Sequence, residues 1–177
     1  MNHGICIAIT YYDEKGYLTK CVDSVLKQTE PPDEILIYDD ASKFPAKNYI
    51  PKDCGIKIYR EEVNRGVGYA RNALLMSARA DYIHFHDADD VFYPDWCAKV
   101  KYIANTEEPD AIITEVAVCN DGQIVSENFW ELKYLKEIKN LASFILHHGM
   151  IPAAITVKRD IALKTGGFRT REVLALS

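Results

Sequence analysis

Apolar and polar positions along this chain alternate between a strand-like and a helix-like spacing. Ile5–Thr10 is a short apolar run of strand type. From Tyr17 to Gln28, the residues Leu18, Cys21, Val22, Val25 and Leu26 recur at helical spacing. TEPPDE then stops the helix, because proline disfavours helical geometry in the residue before it. Glu34–Tyr38 (EILIY) predicts a second buried strand that runs into Asp39-Asp40-Ala41-Ser42, and Ile56–Tyr59 alternates as a third. Asn64-Arg65-Gly66-Val67-Gly68 reads as a turn into a helix over Tyr69–Arg79, with Ala70, Ala73, Leu74 and Ser77 on one face. Tyr82–His86 is a fourth strand, and Pro94 suits the first turn of a helix reaching about Asn105. Further strands are expected at Ala111–Thr114 and Ile151–Val157. Val116–Cys119 and Gln123–Ser126 flank the hairpin signal Asn120-Asp121-Gly122. Helices are expected over Glu131–His147 and, before Gly166-Gly167, over Arg159–Lys164.

Strands alternating with helices predict an α/β fold with a mostly parallel central sheet flanked by helices. In such sheets ligands bind beyond the carboxyl ends of the strands. Glu34–Tyr38 and Tyr82–His86 both end in aspartates: Asp39-Asp40 after the first, Asp87, Asp89 and Asp90 after the second. Parallel strands would bring both clusters to one crevice.

Composition narrows the options. The chain has 177 residues, enough for one domain with a real core, and 48% hydrophobic and 27% charged residues are ordinary globular values. A net charge of −5 gives no general attraction to nucleic acid or anionic lipid. No apolar run approaches the ~20 residues of a membrane span. MNHGICIAIT lacks a basic leader and a small-residue cleavage site, and reads as a first strand. The five cysteines are odd in number, scattered and without a CxxC pair, which predicts reduced thiols. The expected location is the cytoplasm, including the cytoplasmic membrane face.

Like charges as close as Asp87, Asp89 and Asp90 repel and raise one another's pKa. One reading is a capping loop, since acids favour a helix N-terminus. The other is a hard divalent cation, Mg²⁺ or Mn²⁺, which takes one or two carboxylates and completes its shell with substrate phosphates. One aspartate would then hold the metal and another a ribose hydroxyl. A carboxylate such as Asp39 or Asp40 can also accept the imide N–H of uracil. The turn at Asn64 and Gly66 presents N–H groups suited to phosphate, and Arg71 adds a charge one turn into the helix. The turn is not G-x-G-x-x-G and no Walker lysine follows it, which excludes dinucleotide and P-loop readings. His147-His148 is not a zinc pair, since adjacent helical residues do not face one another, although one of them, His148, can approach the crevice.

These segments resemble the family 2 inverting nucleotide-sugar glycosyltransferases of GT-A fold. ICIAITYYDEKGYLTKCVDSVLKQTEPPDEILIYDDAS is similar to that family's opening strand, helix and second strand. EEVNRGVGYARNALLMSARADYIHFHDADDVFYPDWCAKV resembles its N-x-G-x-x-x-A-R-N helix and D-x-D-D strand end. VKRDIALKTGGF resembles the segment before its acceptor site. The likeness covers most of residues 4–105 closely and the rest loosely.

The resemblance implies a Rossmann-like, mixed sheet. Residues 1–105 would form the nucleotide-sugar half and residues 106–177 a small acceptor-side half of a single domain. Thr10 and Tyr12 would flank the uridine, Asp40 would bond the base with Asp39 beside it, and Arg71 would lie near the ribose or diphosphate. Asn64, Gly66 and Ala88 would complete the donor site. Asp89 would be the principal metal ligand, with Asp87 on the metal or ribose and His148 as a further candidate. The expected partners are a UDP-sugar donor and a saccharide or glycolipid acceptor.

In the family an acidic pair with the catalytic base follows the GGF segment. Here the acid after Gly166-Gly167-Phe168 is Glu172. Glu172 is therefore the candidate base, with Glu115 and Glu127 as weaker ones. The acceptor side is also small, so this half is expected to be truncated, or to be completed by a further domain or a partner chain. Three alternatives compete: a nucleotide-sugar-binding module without transfer, a nucleotidyltransferase, and a flavodoxin-like regulatory domain. The second lacks its glycine- and lysine-rich opening loop, and the third a persuasive late lysine, Lys158 being a weak candidate.

Overall fold

The computed structural model describes residues 3–120, 123–127 and 152–170. In chain order its elements are β1 (Ile5–Tyr11), α1 (Lys15–Leu26), β2 (Glu34–Asp39), a 3₁₀ turn at Ala46–Asn48, β3 (Lys57–Arg60), α2 (Val67–Ser77), β4 (Tyr82–Asp87), α3 (Trp96–Thr106), β5 (Ala111–Ile113), β6 (Val118–Asn120), β7 (Gln123–Ser126), a 3₁₀ turn at Pro152–Ala154, β8 (Ile155–Lys158) and α4 (Arg159–Lys164).

β1 is the hub because its sequence is apolar on both faces, as a strand covered on both sides requires. Cys6 and Ala8 pack with Leu36, Tyr38, Ile83 and Phe85 under Ala70, Leu74 and Leu75 of α2. Ile7, Ile9 and Tyr11 pack on the other side against Leu18, Cys21, Val22 and Val25 of α1. A third cluster joins Ile5 and Tyr82 to Val100 and Ala104 of α3 and Ile112 of β5. At roughly 1.5–3 kcal/mol per fully buried large apolar side chain, these layers hold the sheet in register.

Six strands form the main sheet in the order β3-β2-β1-β4-β8-β5. β3, β2, β1 and β4 are parallel neighbours, while β8 runs antiparallel to both β4 and β5. The sheet is thus mixed and mostly parallel. β6 and β7 form a separate antiparallel pair. The strand expected over Ile151–Val157 is shorter and later, Ile155–Lys158, because Pro152–Ala154 winds into the 3₁₀ turn. α4 keeps its expected bounds, closed by the Lys164–Asp160 pair at 2.9 Å. The helix expected over Glu131–His147, the pair His147-His148, the turn residues Asp121 and Gly122, and Glu172 lie outside the described residues.

Candidate active site

Register carries the acidic strand ends to one edge. In the parallel pairs, Thr10 of β1 lies opposite Asp87 of β4, and Tyr11 opposite Asp39 of β2. Beyond this edge is a cavity of about 380 Å³, lined by Thr10, Tyr11, Tyr12 and Glu14, by Asp40, by Asn64, Gly66, Val67 and Ala70, and by Asp87 and Asp89. Three parallel strands and the start of α2 therefore meet where an α/β sheet is expected to bind its ligand.

The two adjacent aspartates at the end of β2 face different surroundings. Asp39 is buried and turned inward: its carboxylate accepts the N–H groups of Ser42 and Ala46, both at 2.9 Å, and pairs with Arg60. It does not line the cavity, and its visible work is to fold the loop after β2. Asp40 does line the cavity, and its two oxygens accept the N–H groups of Arg65 and Gly66, each at 2.8 Å. This corrects the expectation that the glycine-rich turn offers those N–H groups to phosphate, because Asp40 already holds them. Gly66 has φ of +84°, a region that glycine adopts without strain. The amides of the first turn of α2, which follow, have no intrahelical acceptor and point toward the cavity end of the helix.

Asp87 ties β4 to α2 and β1 at the cavity wall. Its Oδ1 accepts from Arg71 Nη2 at 2.8 Å and from Thr10 Oγ1 at 3.2 Å. The guanidinium of Arg71 also lies 5.4 Å over the ring of Phe168. Asp89 is exposed at the cavity wall. Asp90 does not line it, and its carboxyl is pushed up to about 6 by burial, then by Asp89 and Asp87. Ala88 is buried in the α1-side core, so its side chain packs rather than contacts a ligand.

Glu14 escaped the sequence reading. It lines the cavity, accepts the N–H of Tyr12 at 2.8 Å, and its carboxyl is raised by burial and by Asp89 and Asp87. The signal was available, since Asp13-Glu14 follows β1 as Asp39-Asp40 follows β2. Glu115 is half-buried beyond β5 and Glu127 exposed beyond β7, and neither lines the cavity.

Among the described residues no group of three or more His, Cys, Asp or Glu is arranged to hold a metal by itself. Asp87 and Asp89 at the cavity wall, with Asp90 raised beside them, fit a cation that takes one or two carboxylates and draws the rest of its shell from a diphosphate. Uncompensated, this acid cluster repels itself.

A mixed sheet with a nucleotide-sized crevice at its parallel edge defines the GT-A class of α/β fold. Solved relatives share it. Staphylococcus aureus TarS 1-349, in complex with UDP-GlcNAc, superposes with a TM-score of 0.76 at 18% identity over 94% of this chain and 49% of that one. The mannosyltransferase PcManGT from Pyrobaculum calidifontis, in complex with GDP-Man and Mn²⁺, does so with a TM-score of 0.66 at 18% identity over 96% and 48%. In sequence, the putative glycosyltransferase EpsH of Bacillus subtilis is 31% identical over 120 residues, 66% of this chain and 33% of EpsH. The description glycosyl transferase family 2 matches residues 6–166, and the chain belongs to that family. It spans from a third to a little over half the length of the relatives it matches. No helix among the described residues is long and apolar enough to cross a membrane.

Proposed function

We propose that this chain is the catalytic domain of a metal-dependent glycosyltransferase that moves a sugar from a UDP-sugar to an acceptor hydroxyl with inversion. The observation that carries the reading is the convergence of Asp40, Asp87 and Asp89 with the N-terminus of α2 around one cavity. Family membership supports it, as do two fold relatives solved with a nucleotide sugar, one of them with Mn²⁺.

In this reading Asp40 accepts the imide N–H of the base at the cavity wall, and Thr10 and Tyr12 border the uridine. Asn64 and Gly66 hold the loop, and the start of α2 faces the diphosphate with its amides and positive dipole end. Arg71 adds positive charge and orients the Asp87 carboxylate. Asp89, with Asp87, would hold Mn²⁺ or Mg²⁺, which when bound stabilises charge on the departing diphosphate. A carboxylate base takes the proton of the acceptor hydroxyl, which attacks the anomeric carbon from the face opposite the leaving group. Glu172 is the candidate for that base. Residues 1–105 form the donor half and residues 106–177 the acceptor side, which a further domain or partner chain completes.

The alternative reading is a donor-binding module without transfer. Calorimetric titration of UDP, with GDP as comparison, tests the donor site. UDP should bind at least tenfold tighter with Mn²⁺ than without, about 1.4 kcal/mol, and Asp89→Ala should abolish that gain. Equal binding with and without metal would overturn the metal-dependent reading, and preference for GDP would overturn the uridine assignment. Given donor binding, transfer to a saccharide or glycolipid in an acceptor screen separates enzyme from module.

A further inference from the structure

Asn72 follows Arg71 on α2 and makes two hydrogen bonds to the backbone of one residue 96 positions away. Its Oδ1 accepts the N–H of Phe168 at 2.8 Å, and its Nδ2 donates to the Phe168 carbonyl at 2.8 Å. The amide thus replaces the partner strand that the Phe168 backbone lacks. Two glycines permit the approach. A Cβ on Gly167, whose φ is +70°, would sit 2.4 Å from Asn72 Oδ1. A Cβ on Gly68, in the first turn of α2, would sit 2.4 Å from the carbonyl oxygen of Arg169. The segment Gly167–Thr170 therefore lies directly across the part of α2 that borders the cavity through Gly66, Val67 and Ala70.

The clamp fixes the Phe168 ring. That ring packs edge-on to Phe85 of β4 with centroids 4.7 Å apart, and carries the Arg71 guanidinium on its face. Arg71 is thus held from two sides, by Asp87 at its tip and by Phe168 beneath it.

We propose that Asn72 is a positioning residue: by docking the Gly167–Arg169 backbone onto α2 it seats Phe168 under Arg71, which does not itself line the cavity, and so sets the Arg71–Asp87 pair whose carboxylate forms the wall facing the anionic end of the donor. The proposal rests on the donor-binding reading above. It also explains why the glycines at 68 and 167 accompany Asn72, since each prevents a clash with this contact.

The test separates the anionic part of the ligand from the rest. UDP, in the presence of Mn²⁺, and uridine alone are titrated by NMR into the full chain and into Asn72→Ala, Gly167→Ala and Phe168→Leu. Asn72→Ala should weaken UDP about tenfold and leave uridine within about twofold, because only the Arg71–Asp87 pair is disturbed. Gly167→Ala, which breaks the clamp from the opposite side, should reproduce that pattern. Phe168→Leu keeps the apolar contact with Phe85 but removes the ring face, and should do the same. Hydrogen exchange at the Phe168 amide should accelerate in Asn72→Ala. Equal UDP affinity in wild type and Asn72→Ala would overturn the positioning role while leaving the donor site standing. Parallel loss of UDP and uridine would reduce Asn72 to a structural residue. If the wild-type chain binds neither ligand, the donor reading itself fails and this inference falls with it.

Discussion

Asp39 and Asp40 are neighbours in sequence with opposite duties. Successive residues at the end of a strand point to opposite faces, so one carboxylate enters the interior and the other borders the cavity. Removing Asp39 strands the buried N–H groups of Ser42 and Ala46, at about 1–3 kcal/mol each. Arg60 is 40% exposed, so its lost pairing adds less than a buried ion pair would. Asp39→Ala should therefore lose roughly 2–5 kcal/mol in urea unfolding, while the folded fraction keeps its UDP affinity. Asp40→Ala should show the reverse emphasis, with UDP binding weakened at least tenfold by calorimetry and a smaller stability loss from the partly exposed turn at Arg65 and Gly66. The DD pair was legible in the sequence as an acidic strand end at the crevice. Which member borders the cavity was not, because that depends on which carboxylate Arg60 and the Ser42–Ala46 loop reach.

At the scale of elements, β4 carries two histidines that pattern reading treated only as strand residues. His84 is fully buried against Trp96, with ring centroids 4.4 Å apart, and its Nδ1 bonds Thr156 Oγ1 at 3.0 Å. His86 stacks on Phe92 at 3.9 Å. Burial holds His84 well below the ordinary histidine range and His86 at about 4, the latter against smaller upward pulls from the Asp90 backbone and Asp87. The unfolded chain therefore binds protons below about pH 6.5 that the folded chain refuses. Stability is full above that pH and is lost as pH falls below it, by about 1.4 kcal/mol per pH unit for each histidine. Urea midpoints between pH 7 and about 4.5 should fall, less steeply than the two histidines alone would give because the raised Asp90 carboxyl takes up its proton in the folded chain near pH 6, and His84→Phe should flatten the slope. These rings pack behind the loop that bears Asp89 and Asp90, so the same layer that makes the fold acid-sensitive gives the acidic turn a rigid back.

For the whole molecule, the crevice depends on three parallel strands and α2 arriving together, so a ligand bound there is coupled to the fold. A ligand that binds only the native state at a hundred times its Kd adds about 2.7 kcal/mol. For a chain of this size that is a Tm rise of roughly 5–10 °C. UDP with Mn²⁺ should produce that rise in thermal unfolding, and Mn²⁺ alone only a small part of it, because among the described residues no three carboxylates are grouped to hold the ion without the diphosphate. Absence of any shift with both present would remove the ligand from this cavity.

Periodicity alone determined most of the framework. The two-faced apolar strands, the helical spacing of Leu18, Cys21, Val22 and Val25, and the acids at two strand ends were enough for a mostly parallel sheet with a crevice at its carboxyl edge, because burial and register follow from side-chain spacing. Tertiary structure decided what spacing does not encode. It set β8 antiparallel between β4 and β5, committed the Arg65 and Gly66 amides to Asp40, brought Glu14 into the cavity, and laid Phe168 on Asn72 across 96 residues. Each of these is a contact between segments far apart in the chain. A local pattern records which face of an element is apolar, whereas the identity of the group that meets it is settled only when the layers pack.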